Sequence, residues 1–344
     1  MPEISAAIRG LPKVQLHCHL EGTVRAATFR ELADHYGLVS ARAAGPPEST
    51  YAFASFGEFL LTFAEVCKTL RAPEDYARIA RDYVADALAQ NVRYAELFIS
   101  PSVWTFFHHD LDVRETVAAI RAAFDEGKPQ GLEVALICDL TRNFGVERAQ
   151  QTAAVAVGLA EAGLGVLGIG LGGDEVNYPA ENYRAPFDYA RAHGLRCVAH
   201  AGEAAGAASV RAAIDVLKAE RIGHGVRALE DPALVAELAE RRIALELCPT
   251  SNRLTGAVKP GDPHPIAAFA AAGILCAIDA DDPALFSTTL CDEYALAEEW
   301  LGWAGLVDRA PDAVTAAFAP PATKVALHAE IDAYCTDILD GVPN

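Results

Sequence analysis

Eight short apolar runs, each followed by a helix-like pattern, most constrain what this chain can fold into. They are Val14–Leu20, Val92–Ile99, Leu132–Leu140, Gly165–Leu171, Leu195–His200, Arg221–His224, Ile243–Cys248 and Ile274–Ile278. From the second onward they recur every 25 to 40 residues or so, roughly the length of a strand plus its return helix. Helix signals fill the gaps. Asp112 with Glu115 reads as a cap, after which Val113, Val117, Ile120 and Phe124 fall on one face. Asp231-Pro232 offers an N-cap with proline at the first helical position. This alternation predicts a single-domain (β/α)8 TIM barrel spanning 1–344, in preference to an open doubly wound sheet, because no Gly-x-Gly-x-x-Gly follows an early strand.

The first interval is too long for one return helix. Roughly seventy residues separate the first two runs, far beyond an ordinary βα loop. Helical stretches are expected at Thr28–Tyr36, Phe56–Leu70 and Glu74–Gln90, with a Gly45-Pro46-Pro47 loop between. An insertion there sits on the catalytic rim of a barrel, so residues 24–90 are expected to form a helical lid. Further helices are expected from the last strand to Asn344.

Composition narrows the function classes. With 52% hydrophobic and 22% charged residues the chain supports a large core. A net charge of −19, with no Lys/Arg cluster to offset it, argues against nucleic acid as a partner. No run is long and apolar enough to predict a membrane span. Met1–Gly10 lacks the pattern of a signal peptide, and the 8 cysteines are scattered without Cys-x-x-Cys. A reducing, cytoplasmic location is therefore expected. The sequence carries no mark of an oligomeric state.

Polar residues gather where the predicted strands end, the place barrel enzymes put their chemistry. His17 and His19, two residues apart, point to one side of the first strand. Gly172-Gly173-Asp174-Glu175 ends the fourth run, His200-Ala201-Gly202-Glu203 the fifth, His224-Gly225 the sixth, and Asp279-Ala280-Asp281-Asp282-Pro283 the eighth. Three imidazoles and a carboxylate drawn from different strands make an N3O donor set suited to zinc.

Taken together, His17-Cys18-His19-Leu20-Glu21-Gly22, Gly173-Asp174-Glu175, His200-Ala201-Gly202-Glu203, Gly223-His224-Gly225 and Asp281-Asp282-Pro283 resemble the adenosine deaminase family of the metal-dependent amidohydrolases. The resemblance runs from about Leu11 to Leu290, with every motif in family order, and the set is far more specific than any one member. It implies hydrolysis of the 6-amino group of an aminopurine by an enzyme with one zinc per chain. His17, His19, His200 and Asp281 are then the implied zinc ligands. Glu203 is the implied proton donor to N1, and His224 orients the attacking hydroxide. Asp282 is implied at N7 and the Gly173 N–H at N3, while His19 and Glu21 also face the substrate, Glu21 near the ribose 5′ end. Pro249-Thr250-Ser251-Asn252 resembles a family turn read as structural. Glu175 is read as structural or supporting. Asp279 departs from the family, which usually has asparagine or another uncharged residue there, and is expected to face away from the metal. His35, His108, His109, His193, His264 and His328 fall outside the motifs and are given core or surface roles.

For the substrate, Gly172-Gly173-Asp174-Glu175 resembles the nucleoside-using branch, whereas the free-adenine branch has a Ser-Ser-Glu pattern. Adenosine or 2′-deoxyadenosine is the first expectation, a 5′-modified adenine nucleoside such as 6-aminodeoxyfutalosine the second, and adenine the third. Glu21, where animal-type adenosine deaminases carry aspartate, is the reason the second stays open. A binuclear barrel hydrolase is disfavoured because the fourth run lacks a lysine. The cytidine-deaminase type is disfavoured because Pro-Cys-x-x-Cys is absent. A non-catalytic purine-binding protein is the remote alternative, since every implied ligand is present.

Overall fold

The computed structural model describes residues 4–46 and 49–341. All eight runs are strands: β1 (Lys13–His19), β2 (Val92–Ile99), β3 (Glu133–Asp139), β4 (Val166–Gly170), β5 (Arg196–Ala201), β6 (Arg221–His224), β7 (Ala244–Leu247) and β8 (Cys276–Ile278). They pair in parallel in sequence order, as a (β/α)8 barrel requires. Most strand residues are buried on both faces, and β2 to β8 read as largely apolar runs, whereas β1 alternates Lys13, Gln15, His17 and His19 with Val14, Leu16 and Cys18.

Because β8 is only three residues long, closure against β1 falls to the segment after it. The Asp279 carboxylate accepts the Leu16 and His17 N–H groups at 2.6 and 3.0 Å, standing in for strand carbonyls. Two residues on, Asp281 N–H donates to His17 O and His19 N–H to Asp281 O, at 3.0 and 2.9 Å. Asp279 thus faces β1 and its backbone.

The expected caps form. Asp112 accepts the Glu115 N–H at the start of helix Val113–Asp125, and Asp231 accepts the Ala233 and Leu234 N–H groups ahead of Pro232–Glu240. Val117, Ile120 and Phe124 are buried. The insertion after β1 divides into two parts with different roles. Helix Phe56–Cys67 lies over the rim, and its Phe56, Phe59, Leu60 and Phe63 line the central cavity. Helix Pro73–Ala89 instead packs outside the barrel, with Tyr83 Oη donating to Gln15 of β1 at 2.7 Å and its ring against Phe124. It is the return helix of the first βα unit, so residues 24–90 do not all cover the rim. Pro47 of the expected Gly45-Pro46-Pro47 loop lies outside the described residues.

After β8 come helices Pro283–Phe286, Leu290–Val307, Ala310–Ala316 and Pro321–Gly341; the last three residues of the expected C-terminal stretch lie outside the described ones. Phe318 between the last two helices packs with Phe98, Ile137 and Val198 in a core cluster of its own. All eight cysteines are unpaired, seven of them buried. Among the described residues no helix is long and apolar enough to cross a membrane.

Candidate active site

His17 and His19, at the end of β1, turn their rings to one side, where His200 from β5 and Asp281 from the closing segment meet them. One ligand atom from each of the four lies within 4.8 Å of all the others, and all four residues are buried. His17 Nε2 and His19 Nε2 each stand 3.5 Å from Asp281 Oδ1, and His19 Nε2 stands 3.1 Å from His200 Nε2. Two features bring Asp281 there: its backbone bonds to β1 and a φ of 59°, a left-handed conformation that non-glycine residues seldom adopt. Burial, followed by the neighbouring histidines, pushes the His200 ring well below the usual histidine range. Burial also pushes His19 down, leaving imidazole lone pairs free to bind. Asp281 is held well below the carboxylate range despite its burial, first by the His17 ring 3.5 Å away and then by the other histidines that face it. His17 Nε2 is buried with no hydrogen-bond partner among the described residues. Three imidazoles and one carboxylate, with an orphaned nitrogen on the His17 ring, fit a divalent metal of the zinc type. Against its burial, the Asp281 and Glu246 carboxylates raise the His17 ring well above the usual histidine range, so that a metal would take the place of its proton.

Beneath this cluster runs a buried chain of charges. His17 Nδ1 meets Glu246 Oε2 at 2.8 Å, Glu246 Oε1 accepts from Arg221 Nε at 2.6 Å, and Arg221 reaches Glu96 Oε2 at 2.7 Å. Burial alone would raise Glu246, yet the Arg221 guanidinium and the His17 ring bring it below the usual range. A carboxylate on the far nitrogen of a metal-binding histidine fixes its tautomer and ring plane. The chain ends where the Phe318 N–H donates to Glu96 Oε1 at 2.5 Å.

Glu203 follows β5 in a turn clamped from below. Glu175 accepts four successive backbone N–H groups, from Gly202, Glu203, Ala204 and Ala205, at 2.6 to 3.1 Å. The Gly202 φ of +70° lets the turn reverse at that point. Glu175 is thus the residue that positions Glu203. The Glu203 carboxyl itself is pushed well above its ordinary range, by burial first and by the Asp281 charge second. His224 Nε2 lies 3.6 Å from Glu203 Oε2 and 4.0 Å from Asp281 Oδ2, and burial lowers the ring to about 3.

Asp282 is buried, with Oδ1 unpartnered, and burial followed by the Asp281 charge pushes it well above the carboxylate range. Gly22 lies directly against it: a Cβ there would collide with the Asp282 carboxylate. Gly173 has a φ of +96°, and a Cβ would strike Asn143 Oδ1. Asp139 braces this turn by accepting the Gly172 N–H at 2.6 Å and the Thr141 N–H at 2.9 Å. Glu21 is placed differently from the expectation. It is fully buried and is not among the residues lining the cavity, its Oε1 accepting from the Ser100 N–H and the Trp104 indole at 2.8 and 2.5 Å and its Oε2 unpartnered.

His19, Glu203, His224, Asp281 and Asp282 line one cavity of about 380 Å³, together with Gly173. Much of its remaining wall is apolar, with Phe56, Phe63, Phe106, Phe107 and Phe144, and Asp139, Thr141 and Asn143 add polar groups to it. Phe106 is 53% exposed and Leu61 70%, which puts them at the outer lip.

Glu246, Glu96 and Asp139 escaped the sequence reading. Each is a single carboxylate inside or at the end of an apolar strand, and that isolation was the signal available.

Fold and donor set together define a barrel hydrolase of the metal-dependent kind. The sequence profile of the adenosine deaminase family matches residues 12–334. An aminodeoxyfutalosine deaminase of Streptomyces avermitilis is 37% identical over 338 residues, covering 96% of this chain and 93% of that protein. An adenine deaminase of a Chelativorans species is 34% identical, with 93% and 98% covered. The crystal structure of an amidohydrolase from Burkholderia ambifaria with bound zinc superposes with a TM-score of 0.86 at 29% identity, covering 98% of this chain and 96% of that one. The chain belongs to the adenosine deaminase family of the amidohydrolase superfamily and is a hydrolytic deaminase.

Proposed function

We propose that the protein removes the 6-amino group of a 5′-substituted adenine nucleoside of the aminodeoxyfutalosine type, using one zinc ion per chain. The observation that carries this reading is the cavity's division into a polar floor and an aromatic lip. The floor offers hydrogen-bonding groups for a purine, and the phenylalanine lip suits an apolar group attached beyond the ribose. The relative from Streptomyces avermitilis carries the corresponding name. Adenosine itself, the first expectation from the sequence, offers nothing for that lip to bind.

His17, His19, His200 and Asp281 would hold the zinc. When bound, zinc makes a nucleophile available at neutral pH by bringing the pKa of water down to about 7. Glu203, kept protonated by its burial, donates to N1, which draws electron density from C6. That proton stays on N1 of the 6-oxo product. Asp282, likewise protonated, donates to N7. The Gly173 N–H makes no hydrogen bond among the described residues and is free to donate to N3. His224 hydrogen-bonds the oxygen that attacks C6. Of the two protons of the water consumed, one leaves with ammonia and the other recharges Glu203.

A second reading, free adenine, is favoured by one observation: Glu21 is not among the residues lining the cavity, its Oε1 being held by Ser100 and Trp104. The test compares kcat/KM for aminodeoxyfutalosine, adenosine, 2′-deoxyadenosine, adenine and AMP by loss of adenine absorbance. We expect aminodeoxyfutalosine to exceed adenosine by about tenfold or more, the worth of one well-filled apolar subsite. Preference for free adenine would overturn the nucleoside reading and leave the chemistry in place.

A further inference from the structure

Asn252 and His264 are both buried and both lie outside the machinery described so far. They form a directional hydrogen-bond chain that ends on His224. The Ile266 backbone N–H lies 3.3 Å from His264 Nδ1. A backbone N–H can only donate, so His264 Nδ1 carries the lone pair and the ring proton is on Nε2. His264 Nε2 lies 3.2 Å from Asn252 Oδ1, which the N–H can reach only if the amide oxygen faces it. The amide NH2 then faces the other way, 3.0 Å from His224 Nδ1. That nitrogen must accept, which leaves the His224 proton on Nε2. A flipped Asn252 would set donor against donor at His264. The His264 ring is itself immobilised, stacked on Trp300 at 5.0 Å with an 11° interplanar angle.

From this we infer that Asn252 and His264 are positioning residues that lock His224 as its Nε2–H tautomer, so that it enters the reaction as a hydrogen-bond donor and not as a base. The N–H is presented beside the gap between Glu203 and Asp281, where the attacking oxygen must pass in the proposed reaction. A base at this position would need its lone pair on Nε2, the arrangement the chain from Ile266 forbids. The inference deepens the proposed deamination and rests on it for the meaning of the donor, though the tautomer itself follows from the hydrogen bonds alone.

The experiment is nitrogen-detected tautomer assignment on zinc-loaded protein labelled with 15N-histidine, combined with steady-state kinetics of two variants. In the wild type, His224 and His264 should each show a bare Nδ1 and a protonated Nε2. Asn252→Asp presents only acceptor oxygens, so it should move the His224 proton to Nδ1 and lower kcat by about 100-fold or more, with KM within about threefold. His264→Leu frees the amide to flip, so it should give both His224 tautomers and lower kcat by about tenfold. A protonated Nδ1 on wild-type His224 overturns the inference. So does a His264→Leu protein with a single unchanged tautomer and wild-type kcat, and this variant decides the matter even where Asn252→Asp does not fold. A wild type that shows the expected tautomer but deaminates none of the adenine compounds sinks the proposed function and leaves the tautomer lock standing.

Discussion

Glu203 and Glu175 show how two neighbouring carboxylates are put to different uses when their surroundings differ. Glu175 spends both oxygens on four backbone N–H groups, whereas Glu203 faces the cavity and its burial favours the protonated acid. The same reasoning separates Asp281, kept ionised among histidines, from the adjacent Asp282, kept neutral. Glu203→Gln should keep about one zinc per chain by metal analysis, since it is no ligand, and lower kcat about 1,000-fold, within the range for loss of a general acid. Parallel loss of zinc would show that Glu203 supports the metal rather than the proton. Sequence reading reached these residues because each sits at the end of an apolar run. It did not reach the roles of Asn252 and His264, because a hydrogen bond's direction depends on which backbone N–H faces which ring nitrogen.

Among the elements, the short helix Pro249–Leu254 depends on helix Leu290–Val307. Glu293 accepts the Thr250 N–H at 2.9 Å and the Thr288 hydroxyl, so it holds the turn that carries Asn252. Burial raises Glu293 to about 7, against the opposing hydrogen bonds from Thr250 and Thr288. In the unfolded chain such a group titrates near 4.3. The folded state therefore retains a proton that the unfolded state has lost between those values, so stability falls as pH rises from about 4.3 to about 7. Denaturant unfolding should give a lower midpoint at pH 7.5 than at pH 5, and Glu293→Gln should shrink that difference by about 1–2 kcal/mol, because a neutral amide serves both partners at every pH. An undiminished difference would place the titration elsewhere. The elements themselves were legible, since strands buried on both faces leave continuous apolar runs. The lid was not, because helices Phe56–Cys67 and Pro73–Ala89 are both amphipathic, and only the barrel decides which one faces the rim.

For the whole molecule, the four side chains that would hold a metal come from β1, β5 and the segment that closes β8 onto β1. A bound ion therefore ties the two ends of the sheet together as well as serving chemistry. Removing it with a chelator should lower the melting temperature by several degrees, about 4 kcal/mol being available when free metal exceeds its Kd a thousandfold. Zinc added back should restore both melting temperature and activity. Recovery of stability by magnesium alone would argue against an N3O site of the zinc type. The chain His17–Glu246–Arg221–Glu96 belongs to this scale too, because its members are far apart along the chain and meet only once the barrel closes.

That buried chain is finished by the backbone of residues 316–318, with the Ala316 carbonyl on Arg221 and the Phe318 N–H on Glu96. The free edge of β1 is likewise covered only where the segment at Asp281 pairs with it. A chain truncated before residue 281 would thus hold an unpaired β1 edge and an ion pair short of its last partners. The floor of the cavity is a product of barrel closure, and losing either flank would undo it.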